Sequence, residues 1–162
     1  MLMYYPLSKA LIDAQDRGEI KNGKITFVLA SNENAYALER AKKAGIESTV
    51  VNRKAYDTKA DYDKAVLKAL DGRNIDLIVL AGFLSILGED LVNEYKNRII
   101  NIHPSLIPLF CGDGFYGKKV HTAVLNSGVK VTGATAHFVN EITDGKSVLC
   151  ILQQQEIEHL LG

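Results

Sequence analysis

The sequence predicts an α/β protein built on a doubly wound, mostly parallel sheet, and three observations carry that prediction. Apolar runs of strand length alternate with amphipathic stretches of helix length along the whole chain. The clearest run, a strand read over Ile75 to Leu80 and leading into Ala81-Gly82, is almost continuously apolar, which implies burial on both faces beneath covering helices. Polar side chains collect where strands end, at Asn101, His103 and Asp144, and open α/β sheets bind ligands beyond the carboxyl ends of their strands.

Taken in order, Leu7 to Arg17 places Leu7, Ala10, Leu11 and Ala14 on one helical face, with Gly18 to end the helix. Ile25 to Ala30 is short, apolar and β-rich, and reads as a buried strand. A helix follows from Asn34, its N-cap, to a stop at Gly45. Ser48 to Val51 reads as a strand and Lys59 to Leu70 as a helix closed by Gly72. After the Ile75–Leu80 strand, a helix over 88–95 leads to an apolar strand over 98–103. Pro104 to Gly117 is a loop rich in Pro and Gly, and Lys118 to Asn126 a helix. Val131 to Val139 and Ser147 to Gln153 are the last two strands. No repeat or linker interrupts the pattern, so residues 1–162 are read as one domain.

Lys plus Arg, 19 residues, balances Asp plus Glu, also 19, so no global field recruits nucleic acid or an anionic membrane. Cys111 and Cys150 form no C-x-x-C pair, which argues against a disulfide framework and suits a reducing, cytoplasmic setting. The opening Met1-Leu2-Met3-Tyr4-Tyr5-Pro6 has neither the basic region nor the apolar length of a signal peptide or membrane span.

Asn101 and His103 lie two apart, so on an extended chain both side chains point to one face. An amide donor beside an imidazole can stabilise an oxyanion and pass a proton, and a nearby carboxylate can orient the imidazole. Spacing alone leaves a plainer reading open, in which Asn101 caps a turn, His103 packs before Pro104 and Asp144 is a loop residue. Gly112-Asp113-Gly114-Phe115-Tyr116-Gly117 is a literal G-x-G-x-x-G, but Pro104 and Pro108 separate it from the preceding strand. A glycine-rich active-site loop or a connector fits it better than a dinucleotide site. His121, beside Val120 and Val124 on a helix, takes a structural role. His137, between Ala136 and Phe138, faces a cleft or solvent, and His159 is read as surface. No H-E-x-x-H or similar spacing suggests a metal. Arg40 with Lys42-Lys43 reads as a solvated helix face.

The stretch Asn101-Ile102-His103-Pro104-Ser105-Leu106-Ile107-Pro108 resembles the N-I-H-P-S-L-L-P segment of the folate-dependent formyltransferase family. Ser31-Asn32, Ala37-Leu38-Glu39-Arg40-Ala41 with Gly45-Ile46, and Ala81-Gly82-Phe83-Leu84-Ser85-Ile86-Leu87 are similar to segments of its phosphoribosylglycinamide branch. So are the loop from Phe110 to Gly117 and Gly133-Ala134-Thr135-Ala136-His137-Phe138-Val139 with Asp144-Gly145. The similarity runs in order over about residues 7 to 153. It implies a Rossmann-like formyltransferase fold, 10-formyltetrahydrofolate as donor, glycinamide ribonucleotide as acceptor, and a place in de novo purine synthesis. It implies no metal, small-molecule partners only, and a monomer or homodimer. By the same resemblance Asn101 donates to the oxyanion, His103 stabilises it as imidazolium, and Asp144 supports His103. The folate would meet Phe83, Leu84, Ile86, Leu87, Val92, Ile99 and His137, with Val139 and Glu141 near its pterin and Lys59 near its glutamate tail. Ile102, Pro104 and Ser8 fall to the ribonucleotide.

Two departures from the family pattern stand out. Its first strand and G-x-G-[ST]-N phosphate loop are expected to be missing, with Pro6-Leu7-Ser8-Lys9 where the loop should end. Its C-terminal helix is expected to be missing too. Loss of the first strand would leave an apolar, unpaired edge, which predicts lower stability or self-association. Two alternatives stay beside transfer: a 10-formyltetrahydrofolate hydrolase, and a non-catalytic folate-binding remnant.

Overall fold

A computed structural model describes residues 2–3, 7–81, 87–112, 114–139 and 148–153. The chain falls into two compact units, Met1–Ile99 and Ile100–Gly162.

The first unit is the parallel part. Its strands are β1 (Leu2–Met3), β2 (Phe27–Ala30), β3 (Glu47–Val50) and β4 (Ile78–Ala81), in the order β3-β2-β1-β4. All three pairings are parallel, with Leu2 opposite both Leu29 and Leu80, and Met3 opposite Ala81. The first strand is therefore shortened to two residues, not missing, and it bridges β2 and β4 where an open edge was expected. So short a segment carries no periodicity. It becomes a strand because strands on both sides supply its hydrogen-bonding partners.

The helices are α1 (Leu7–Asp16), α2 (Tyr36–Lys43), α3 (Lys59–Leu70) and α4 (Glu89–Glu94), within a residue or two of the predicted bounds. A single 3-10 turn over Arg53–Ala55 was not anticipated. Alternation along β2 sends its side chains to two faces. Val28 joins Ile12, Ala37, Ala41, Ile46 and Ala81 in one buried cluster beneath α1 and α2. Phe27, on the opposite face, lies 4.2 Å beneath the Arg73 guanidinium just past α3. Both faces of β2 are buried at every residue, as its apolar run predicts.

Three local expectations fail for identifiable reasons. The buried stripe of α1 is Ser8 and Ile12, while Ala10 is exposed and Leu7, Leu11 and Ala14 are half-buried. The helix is rolled so that small Ser8 fits inside. Asn34 does not cap α2, which begins one residue after Ala35 and has no side-chain cap. Arg40 is not simply solvated: its Nη1 donates to Ser8 Oγ at 3.1 Å and its guanidinium lies 4.8 Å from the Tyr36 ring. Helix α3, by contrast, is capped at both levels. Thr58 Oγ1 accepts from Asp61 N at 3.1 Å and donates to Asp61 Oδ2 at 2.7 Å. Buried Asp63 then caps the next helix, accepting from Gly88 N at 3.1 Å and Leu91 N at 3.4 Å. Gly88 is required there, because a Cβ would collide with the Asp63 carboxylate.

The second unit is antiparallel. Strand β5 (Ile99–His103), whose first residue closes the first unit, runs against β6 (Gly133–Phe138), which pairs with β7 (Val148–Gln153). Helix α5 (Lys118–Ser127) buries Val120 and Val124, with His121 half-buried beside them. The predicted strand over 131–139 begins only at Gly133, and Val131 is exposed.

Candidate active site

The register of β5 against β6 builds the site. Asn101 stands opposite His137, and His103 opposite Thr135. Directly paired residues of antiparallel strands share a face, so all four side chains project to one side. Three of them are deeply buried: His103 is 4% exposed, His137 1% and Thr135 0%. A row of polar groups inside a sheet is stable only if each finds a hydrogen-bond partner, and these do.

Asn101 Nδ2 lies 3.3 Å from His137 Nε2, and His137 Nδ1 lies 3.2 Å from the Phe138 carbonyl. His103 Nε2 is 2.8 Å from the Phe110 carbonyl. A carbonyl only accepts, so that ring nitrogen of His103 carries a proton. Thr135 Oγ1 donates to Ser105 O at 2.7 Å and accepts from Ile107 N at 3.1 Å, tying the segment after β5 to β6. Ser105 Oγ closes the turn on Leu109 O at 2.6 Å.

The loop that delivers the Phe110 carbonyl is bent at several points. Phe110 itself has φ 52°, and Gly112 and Gly114 have φ 93° and 87°. A bulky residue in the left-handed region is uncommon, and such residues concentrate where a site requires them. Here the bend sets a main-chain acceptor on the histidine. The G-x-G-x-x-G string is thus a glycine-rich loop over His103, not a dinucleotide turn.

The predicted site residues divide into three groups. Asn101, His103 and His137 are brought together, with Ile102 and Pro104 half-buried alongside in sequence. The expectation that His137 faces a cleft or solvent is wrong, since its ring is sealed beneath the sheet face. In the first unit, Ile99 is fully buried and Leu87 and Val92 keep under a tenth of their surface, so all three pack as core. Lys59 is exposed at the start of α3, and Val139 is half-buried after β6. Ser8 is fully buried in α1, where its Oγ accepts from Arg40 Nη1. Phe83, Leu84, Ile86, Glu141 and Asp144 lie outside the described residues, as does the expected end of the chain. Sequence reasoning missed Thr135 and the Phe110 carbonyl. The alternation Thr135-x-His137, matching Asn101-x-His103, was the signal for the first, and no side-chain signal exists for the second.

An amide and an imidazole on one sheet face, under a glycine-rich loop, are the kinds of group that can donate to an oxyanion and carry a proton. The chain belongs to the formyl transferase family, whose pattern it matches over residues 6–158. It is 36% identical over 141 residues to phosphoribosylglycinamide formyltransferase of Escherichia coli, covering 87% of this chain and 64% of that protein. It is also 36% identical over 141 residues to the human trifunctional purine biosynthetic protein adenosine-3, of which it covers only 13%. The chain thus spans less than two thirds of these relatives. Among solved structures, glycinamide ribonucleotide transformylase 1 from Symbiobacterium toebii superposes with TM-score 0.84 at 31% identity, over 94% of this chain and 70% of that one. The enzyme of the same name from Geobacillus kaustophilus gives TM-score 0.84 at 30% identity, over 99% and 85%. The fold is the Rossmann-like α/β fold of these transformylases.

Proposed function

We propose that this chain transfers the formyl group of 10-formyltetrahydrofolate to the amine of glycinamide ribonucleotide, a step of de novo purine synthesis carried out in the cytoplasm. One observation carries the reading: Asn101 and His103 share a buried sheet face, with Asn101 still holding an N–H to give. Its Nδ2 bears two protons, and His137 takes one. No described residue takes the other, which suits a ligand oxygen that becomes negative.

In the proposed reaction the acceptor amine attacks the formyl carbon and a C–N bond forms. The carbonyl electron pair moves to oxygen, where Asn101 donates to it and His103 lends positive charge. The tetrahedral centre then collapses, the bond to the folate nitrogen breaks, and the amine's proton passes to that nitrogen. Asp144 is proposed to support His103 and to order the relay. Phe83, Leu84, Ile86, Val139 and Glu141 are proposed to form the folate side, with the exposed Lys59 ammonium suited to an anionic glutamate tail. Ile102 and Pro104 are proposed to border the acceptor.

The test mixes the purified chain with 10-formyltetrahydrofolate and glycinamide ribonucleotide and follows loss of the formyl group, with His103→Ala as blank. Turnover that needs the amine and disappears in the variant supports transfer. Formate released without any amine would replace transfer by hydrolysis. Folate-dependent stabilisation with no turnover would leave a binding protein.

A further inference from the structure

We infer that the free edge of the parallel sheet, strand β3 with helix α2 over it, is a contact surface for a second copy of this chain. The two copies join antiparallel about a two-fold axis through Thr49. Strand β3 ends the sheet, with β2 on one side and, among the described residues, no strand on the other. An open edge presents unpaired N–H and C=O groups, and proteins commonly blunt it with charge, proline or a bulge. Strand β3 carries no proline and pairs with β2 without a shift of register. Its one charged side chain, Glu47, is taken up by Arg73 Nη1 at 2.7 Å, on the face that carries Phe27. Ser48, Thr49 and Val50 leave the rest of the edge neutral.

The backbone fixes the register of such a contact. Val51 N donates to Ala30 O at 2.9 Å, so by alternation Thr49 also turns its N–H and C=O to β2. Ser48 and Val50 turn theirs outward. An axis through Thr49 sets Ser48 opposite the partner's Val50, and Val50 opposite the partner's Ser48, so each pair exchanges two N–H···O bonds. Directly opposed residues share a face, and Thr49 meets the partner's Thr49 on the side away from α2. On the α2 side lies a groove of about 550 Å³ lined by Leu38, Ile46 and Val50, with Glu39 and Lys42 exposed at its rim. The same axis runs the two α2 helices antiparallel, which brings Glu39 of each toward the partner's Lys42. Opposite charges therefore meet twice, the self-match that a two-fold contact requires of one surface. A four-residue edge with one helix flank is small, so the association is weak.

Sedimentation equilibrium of this chain tests the inference without reference to turnover. The parent should dimerise with Kd below about 1 mM. Val50→Pro removes an outward N–H at an edge position that tolerates proline, and Thr49→Lys sets like charges across the axis. Each should raise Kd about tenfold or more. Lys42→Glu should raise it about fivefold, because the change counts twice in a two-fold contact. Adding Glu39→Lys to Lys42→Glu should restore the parent Kd, since the exchanged charges are again complementary. Glu39 and Lys42 are exposed, so these two variants should keep the parent's circular dichroism and Tm, and they remain readable if an edge variant fails to fold. A parent still monomeric at about 1 mM would overturn the inference. So would a dimer indifferent to folded edge variants, or a double exchange that does not restore the Kd lost in Lys42→Glu.

Discussion

Strands β2 and β6 are both buried, yet they are buried for different ends. In β2 the interior is filled by Phe27, Val28, Leu29 and Ala30, none more than 3% exposed, and no side-chain hydrogen bond is needed. In β6 the most buried side chains are Thr135 and His137, and each is held by hydrogen bonds to its own unit. The first unit spends its interior on removing apolar surface from water, worth about 25 cal/mol per Å². The second places groups that can donate, accept and carry protons. The difference teaches where damage should register. Changes in the parallel unit should appear as lost stability, and changes along the polar row as lost rate.

The largest separation is expected from Leu29→Ala. Leu29 is 1% exposed at the centre of the parallel sheet, and truncation there should cost about 2–5 kcal/mol in urea unfolding. A loss under about 1 kcal/mol would show that the shortened β1 leaves this region loosely packed.

A somewhat smaller effect is expected from Tyr62, whose phenol burial pushes up to about 12, with the positive charge of Arg53 only partly offsetting it. The neutral form is the folded one, so its contribution is complete below the ordinary value of 10 and is lost as pH rises from there toward about 12. Alkaline unfolding should show this fall of about 2–3 kcal/mol, and Tyr62→Phe should remove it. An unchanged pH profile in the variant would contradict burial as the cause. Smallest is Thr58→Ala, which removes the cap of α3 and should cost about 1 kcal/mol without altering kcat.

Much of this contrast was legible in the sequence, because it rests on period. The apolar runs of β2 and β4 and the two-residue spacing of Asn101 and His103 need no tertiary knowledge. What escaped needed contact between distant residues. Nothing in Leu2-Met3 signals a strand, since its partners Leu29 and Leu80 lie far along the chain. The pairing of Asn101 with His137 follows from cross-strand register, which hydrophobic pattern does not fix to a residue. Ser8 was assigned to the phosphate by chain position, and its burial against Arg40 was not legible there. The Phe110 carbonyl is a main-chain group, equally present in every sequence.

The most direct test of the division between scaffold and chemistry is Asn101→Ala, followed by thermal melting and formyl transfer on the same preparation. Removing one oxyanion donor should lower kcat by about 10²–10³-fold. Tm should move by only a few degrees, since a domain of this size shifts about 2–4 °C per kcal/mol. A collapse of Tm, or turnover close to the parent's, would contradict the assignment of Asn101 to the chemistry.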